Sequence, residues 1–176
     1  VLVLSGSVPK TMGNEIYKDI IKGVPAGVKV ILDTRDEPFK YSLEAGVYLT
    51  KPNRNELSEI FDKDLKTIEE IMEAGEKLRS MGSENVIVSM GKDGSMLITE
   101  SGIYLGNAPI GKLVSSVGAG DSMVAGIIYG ITGGYSIEDS YKYGIASGSA
   151  TAFSEGLTTL ETMENLLKDI KIKKIK

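Results

Sequence analysis

The sequence predicts an α/β fold with a mainly parallel sheet, and three observations carry that prediction. Short β-branched runs alternate with longer helix-periodic stretches along the chain, the pattern of strands joined by crossover helices. The 176 residues contain no internal repeat and no linker-like low-complexity segment, and a chain of roughly 150 residues can bury one good core. Residues 1–176 therefore read as a single α/β domain.

The strand candidates are Val1–Leu4, Val28–Asp33, Val47–Leu49, Val86–Met90, Ser95–Thr99 and Ile103–Leu105. Between them Gly13–Lys22, Glu37–Ala45 and Leu65–Met81 read as helices. The last of these gathers Leu65, Ile68, Ile71, Met72, Leu78 and Met81 on one stripe, with Glu73 and Lys77 spaced to pair on the other face. Gly91-Lys92-Asp93-Gly94 reads as the turn of a hairpin. From Gly120 onward only helices are expected, at Asp121–Ile131, Ser136–Ala152 and Leu160–Ile170. Ser136 precedes Asp139, and Thr158 precedes Glu161, each at the spacing of an N-cap and its third helical residue. The closing Lys171-Ile172-Lys173-Lys174-Ile175-Lys176 reads as a frayed, solvated end rather than a binding arm.

Composition limits the chemistry. There is no His and no Cys, so serine–histidine and cysteine–histidine catalysis, cysteine nucleophiles, the usual zinc sites and disulfides are all excluded. A reducing cytoplasm is the expected setting. Carboxylates, lysines, hydroxyls and backbone N–H groups remain, and 21 glycines allow many N–H groups to be presented in tight loops. A net charge of −4 argues against a nucleic-acid partner. No apolar run reaches the roughly 20 residues needed to span a bilayer, so no membrane partner is expected. The opening Val1-Leu2-Val3-Leu4 is not a signal peptide, and a terminus that starts inside a strand-like run reads as a piece of a longer protein.

Three motifs bear on function. Val117-Gly118-Ala119-Gly120-Asp121 leads directly into the apolar helical run Met123, Val124, Ile127, Ile128 and Ile131. Gly118, Ala119 and Gly120 would place backbone N–H groups around one point at the positive end of a helix, an anion cradle. A carboxylate there repels a passively bound phosphate but makes sense as the acceptor of a proton from an attacking hydroxyl. The plain alternative is a helix whose Asp121 complements the dipole. Lys51-Pro52-Asn53-Arg54-Asn55-Glu56 follows a strand, and it reads either as a helix capped by Asn53 and Glu56 or as a site with Lys51 on phosphate. In the second reading Asn53, Glu56 and Asp33 lie near Mg²⁺, directly or through waters. Both motifs fall at carboxyl ends of strands, where open α/β sheets bind ligands. Ser89-Met90-Gly91-Lys92-Asp93-Gly94 reads either as a plain hairpin or as a run along a nucleotide. Gly106–Leu113 resembles a P-loop in spacing, but Leu113 stands where a Ser or Thr must hold Mg²⁺, and β-like residues follow where a helix is required.

In order along the chain, Ser5-Gly6-Ser7-Val8-Pro9, the strand ending in Asp33, Lys51-Pro52-Asn53-x-x-Glu56, Val88-Ser89-Met90-Gly91-x-x-Gly94 and Val117-Gly118-Ala119-Gly120-Asp121 resemble the carboxyl-terminal part of the ribokinase-like sugar kinases. That family includes the minor phosphofructokinases. Gly111-Lys112-Leu113-Val114 and the run Ala146–Glu155 are similar to the bacterial branch acting on fructose 1-phosphate, with tagatose-6-phosphate kinases as the neighbouring branch.

The resemblance implies a three-layer ribokinase-like fold whose amino-terminal portion and β lid lie outside these 176 residues. It implies ATP-dependent phosphorylation of the 6-hydroxyl of fructose 1-phosphate, with ATP and Mg²⁺ as cofactors. Asp121 is then the general base and a contact to the sugar hydroxyl, with Gly118, Ala119 and Gly120 as the anion hole. Lys51, Asn53, Ser89, Met90, Gly91, Lys92, Asp93, Gly94 and Gly120 are the expected ATP contacts, and Asn53, Glu56 and Asp33 the expected Mg²⁺ set. Ala146–Ala150 would help wall the adenine pocket. Arg35-Asp36 departs from the Ser-Gly found in many relatives. The implied partners are a sugar phosphate and ATP, and the implied assembly is a homodimer formed through the lid. The chain alone is expected to have negligible kinase activity, and a non-catalytic nucleotide- or anion-binding module is the alternative of another class.

Overall fold

The computed structural model describes residues 1–176. The chain divides into two compact units, the first formed by Val1–Met90 with Ile98–Ile103 and the second by Gly91–Leu97 with Tyr104–Lys176.

In the first unit β1 (Leu2–Ser5), β2 (Val30–Asp33), β3 (Val47–Thr50) and β4 (Ser83–Ser89) lie side by side in chain order. All three pairings are parallel, with Leu4 beside Leu32, Leu32 beside Thr50 and Thr50 beside Val86. Successive side chains of a strand point to opposite faces, so the burial of Ile31 with Leu32 and of Val86, Ile87 and Val88 means that both faces are covered. The continuous apolar runs in the sequence have this cause. Helices α1 (Ile16–Lys22), α2 (Asp36–Leu43), α3 (Arg54–Phe61) and α4 (Ile68–Ser80) supply the cover.

The helix limits differ from the expected ones for local reasons. α1 begins at Ile16 rather than Gly13, because Lys10–Met12 forms a 3₁₀ turn closed by Gly13 at φ 73°. α4 begins after Thr67, whose hydroxyl accepts the Glu70 N–H while the Glu70 carboxylate accepts the Thr67 N–H, a capping box. Leu65 is buried but precedes that cap, and Met81 is exposed. Lys77 lies over the ring of Phe61, its Nζ 4.8 Å from the centroid, rather than against Glu73.

The second unit holds most of β5 (Ser95–Ile98) and β6 (Ile103–Gly106), with β7 (Ile172–Lys174) beside β6. A 3₁₀ turn at Gly91–Asp93 precedes β5. β7 corrects the expectation of a frayed tail and of an all-helical end: it pairs antiparallel with β6, Tyr104 opposite Lys174 and Gly106 opposite Ile172. Asn107 holds it there, its side chain donating to the Asp169 carbonyl at 3.1 Å and accepting the Lys171 N–H at 2.6 Å. Helices α5 (Ala119–Thr132), α6 (Ile137–Ala152) and α7 (Leu160–Leu167) complete the unit. Ser136 caps α6 as expected, accepting the Asp139 N–H at 3.1 Å. The cap of α7 is Thr159, which accepts the Thr162 N–H, and not Thr158. α7 also ends short of Ile170.

α5 and α6 pack closely because both present small residues to the seam. A methyl group at Gly148 would stand 2.9 Å from the Ala119 carbonyl oxygen, closer than carbon and oxygen tolerate. The segment after Gly106 contains no helix before Ala119, consistent with rejecting a P-loop. Val114–Val117 is irregular rather than a strand, and the Val114 and Ser115 N–H groups both bond the Ala152 carbonyl.

Candidate active site

In the first unit the carboxyl ends of β2, β3 and β4 bring together Asp33, Lys51, Asn53 and Ser89. Lys51 follows β3 and is buried, with its Nζ 3.4 Å from Asp33 Oδ1 at the end of β2. A buried ammonium needs a charged partner, and Asp33 supplies it. Asn53 forms an isolated parallel bridge with Ser89, and the Ser89 N–H donates to the Pro52 carbonyl at 3.1 Å. These links tie the start of α3 to the end of β4. Met90 is buried immediately beyond Ser89.

The capped-helix reading of residues 51–56 is realised. Asn53 Oδ1 accepts the Glu56 N–H at 2.9 Å, and Glu56 Oε2 accepts the Asn53 N–H at 2.7 Å. No three acidic side chains converge as a metal-ligating group. Asn53 and Glu56 fit the mode of Mg²⁺ binding in which one or two protein oxygens act beside waters and phosphates. Arg35 and Asp36 lie at the start of α2, where Asp36 adopts φ 62°. Gly adopts that left-handed conformation most readily, and Asp more readily than most other residues. A cavity of about 280 Å³ beside this turn is lined by Arg35, Asp36, Lys40, Pro52 and Glu56 among others. The larger cavity of this unit, about 610 Å³, lies at the opposite ends of the strands, beside Lys29, Tyr48 and Arg79.

In the second unit the Gly-Ala-Gly-Asp turn becomes the start of α5. Gly118 is the N-cap at φ 78°, a conformation that a side chain would strain, and a Cβ there would also meet Leu157 Cδ2 at 3.0 Å. The first N–H groups of a helix lack partners within it. That of Ala119 reaches back to the Ser116 carbonyl at 3.3 Å, and those of Gly120 and Asp121 are left for the turn. Asp121 and Gly120 are exposed, and Gly118 and Ala119 half-buried. An exposed carboxylate beside first-turn amides can take a proton from a hydroxyl while the amides face the group being transferred.

Gly91, Lys92 and Asp93 are exposed, and the Gly94 N–H closes their turn on the Gly91 carbonyl at 3.1 Å. Of the residues expected to wall an adenine pocket, Ala146, Ser147, Gly148 and Ala150 are buried in α6 and Ser149 is half-buried. Sequence reasoning missed Thr151, whose hydroxyl bonds Ser122 beside Asp121. It lies within the Ala146–Glu155 run, but that run by itself gives Thr151 no separate role.

The family model of the pfkB family carbohydrate kinases matches residues 1–163. The chain is 41% identical over 176 residues to 1-phosphofructokinase of Bacillus subtilis, covering 99% of this chain and 58% of that protein. It is 32% identical to D-tagatose-1-phosphate kinase of Bacillus licheniformis, covering 97% of this chain and 57% of that one. A crystal structure of phosphofructokinase-2 from Escherichia coli in complex with potassium superposes with a TM-score of 0.89 at 28% identity, over 96% of this chain and 56% of its own. The chain thus spans little more than half the length of these relatives. This chain belongs to the pfkB family of carbohydrate kinases.

Proposed function

We propose that the protein containing this chain is a cytoplasmic, ATP-dependent sugar-phosphate kinase that converts fructose 1-phosphate to fructose 1,6-bisphosphate. The observation that carries the reading is the exposed Asp121 in the first turn of α5, preceded by a left-handed Gly118 and flanked by first-turn amides. Asp121 takes the proton of the 6-hydroxyl as its oxygen bonds to the γ-phosphorus and the bond from that phosphorus to the bridging oxygen of ADP breaks. The amides of Gly118 and Gly120, and that of Ala119 once it leaves the Ser116 carbonyl, stabilise the charge on the transferring group. Lys51, Ser89 and the Met90–Gly94 run bind ATP. Mg²⁺, held by Asn53 and Glu56 through few direct contacts and with Asp33 nearby, would neutralise phosphate charge.

The identity to 1-phosphofructokinase supports fructose 1-phosphate as the acceptor, and the lower identity to a tagatose-phosphate kinase makes that sugar the second reading. Exclusion of water and positioning of both substrates need more than one base and one anion hole, so we expect negligible turnover from these 176 residues alone. The full-length protein is expected to be a homodimer. Asp121→Asn in that protein should lower turnover about 10²–10⁴-fold while ATP binding persists. Unchanged turnover would remove Asp121 as the base, ATP binding without any turnover in the unsubstituted full-length protein would favour a non-catalytic nucleotide-binding module, and faster turnover of tagatose phosphates than of fructose 1-phosphate would favour the second reading.

A further inference from the structure

Thr151 sits near the end of α6, outside the Gly118–Asp121 turn, yet its side chain is bonded to the residue that follows the turn and to the segment leading to α7. Its hydroxyl donates to Ser122 Oγ at 2.7 Å and accepts the Thr158 N–H at 3.0 Å. Thr151 and Ser122 are 1% and 7% exposed, so neither hydroxyl has ready exchange with water. The Ser122 N–H bonds the Gly118 carbonyl at 2.8 Å, and the Thr151 methyl lies 3.9 Å from where a Gly118 Cβ would stand. One residue further, the Ala152 carbonyl accepts the N–H groups of Val114 and Ser115 at 2.9 and 3.2 Å. The end of α6 therefore holds the loop before the turn, the helix residue after it, and the segment leading to α7.

We propose that Thr151 is a positioning residue that fixes the first turn of α5, and with it the Asp121 carboxylate and the turn's amides. The chain of donors runs one way, from the Thr158 N–H to the Thr151 hydroxyl to Ser122 Oγ. Removing the hydroxyl leaves a buried acceptor and a donor unmatched at once. Ser122 is adjacent to Asp121 in the first turns, so a shift of Ser122 moves the carboxylate, and misplacement of about 1 Å at a reacting group can cost on the order of 10²-fold in rate. The proposal rests on the kinase reading only for the consequence in turnover, not for the ordering of the turn.

The test is amide hydrogen exchange and steady-state kinetics on the full-length protein carrying Thr151→Val, Thr151→Ser or Ser122→Ala. Thr151→Val and Ser122→Ala should each raise exchange of the hydrogen-bonded amides of residues 119 and 122 about tenfold or more, with β5 and β6 unchanged, and Thr151→Ser should stay close to wild type. Turnover should fall about 10–100-fold in the first two with the KM for ATP changed less than about threefold. Wild-type exchange at residues 119 and 122 in either Thr151→Val or Ser122→Ala, or an increase spread equally over β5 and β6, overturns the proposal. A changed exchange pattern with turnover preserved in both Thr151→Val and Asp121→Asn leaves Thr151 as organiser of the turn and defeats the kinase reading instead.

Discussion

Asn53 and Glu56 hold each other's backbone: Asn53 Oδ1 accepts the Glu56 N–H at 2.9 Å while Glu56 Oε2 accepts the Asn53 N–H at 2.7 Å. The two residues proposed to lie near Mg²⁺ are thus also the residues that start α3, and substitutions can separate the two duties. Asn53→Ala removes the cap and should cost about 1 kcal/mol in urea unfolding. Glu56→Gln keeps a carbonyl oxygen for the Asn53 N–H, so unfolding should shift by less than about 0.5 kcal/mol. Mg²⁺-dependent ATP binding by the full-length protein should weaken in Glu56→Gln. Wild-type binding in that variant would confine Glu56 to capping.

The pairing of Lys51 with Asp33 at 3.4 Å makes a second prediction. Lys51→Met leaves a carboxylate among buried strand ends, and losing one partner of a fully buried pair costs about 3–5 kcal/mol. The Asp33 side chain is 18% exposed, so partial hydration should reduce the loss to about 2 kcal/mol. Adding Asp33→Asn should recover part of that loss. Urea unfolding of the two variants checks this, and a double variant no more stable than Lys51→Met would show that the charge left behind is not the cause.

What the sequence revealed of this fold was mostly local. The parallel core was legible because strands covered on both faces read as unbroken apolar runs, as in Val30–Leu32 and Val86–Val88. The capping box at Asn53 and Glu56 and the glycine turn before Asp121 were legible because each is defined within four residues. β7 was not, since Lys171–Lys176 has the charge of a solvated tail and becomes a strand only through β6 and Asn107, more than 60 residues earlier. Lysines on an edge strand also discourage further strand pairing, so the same residues that signalled a tail suit its actual place. At the start of α7 the Thr158 hydroxyl donates to the Thr159 carbonyl and Thr151 accepts the Thr158 N–H from α6, which leaves the cap to Thr159.

Tyr141 is fully buried, and its hydroxyl lies 2.7 Å from Ser95 Oγ. Burial, the largest influence, pushes its phenol well above the ordinary value of 10, against smaller opposing effects from Ser95 and the Gly106 backbone. A group whose folded pKa is raised contributes stability that is fully present below the unfolded value and is lost as pH rises above it. Stability should therefore decline above about pH 10 in wild type and less steeply in Tyr141→Phe. At neutral pH the same variant should lose about 1–2 kcal/mol, because Ser95 loses a buried partner. Urea unfolding across the alkaline range measures both, and parallel alkaline slopes would exclude Tyr141 as the group responsible.

Asn107 fastens β7 through three bonds, its own N–H donating to the Lys171 carbonyl at 3.2 Å in addition to the two made by its side chain. Asn107→Ala removes the side-chain pair, each bond worth about 1 kcal/mol, from a three-residue edge strand. Short edge segments open separately from the core, so the expected effect is local. The Lys171 amide should exchange about tenfold faster or more, with the amides of β5 unchanged and thermal unfolding shifted only slightly. Hydrogen exchange of the variant decides the matter: equal acceleration at β5 would mean that β7 belongs to the cooperative core rather than to a separately opening edge.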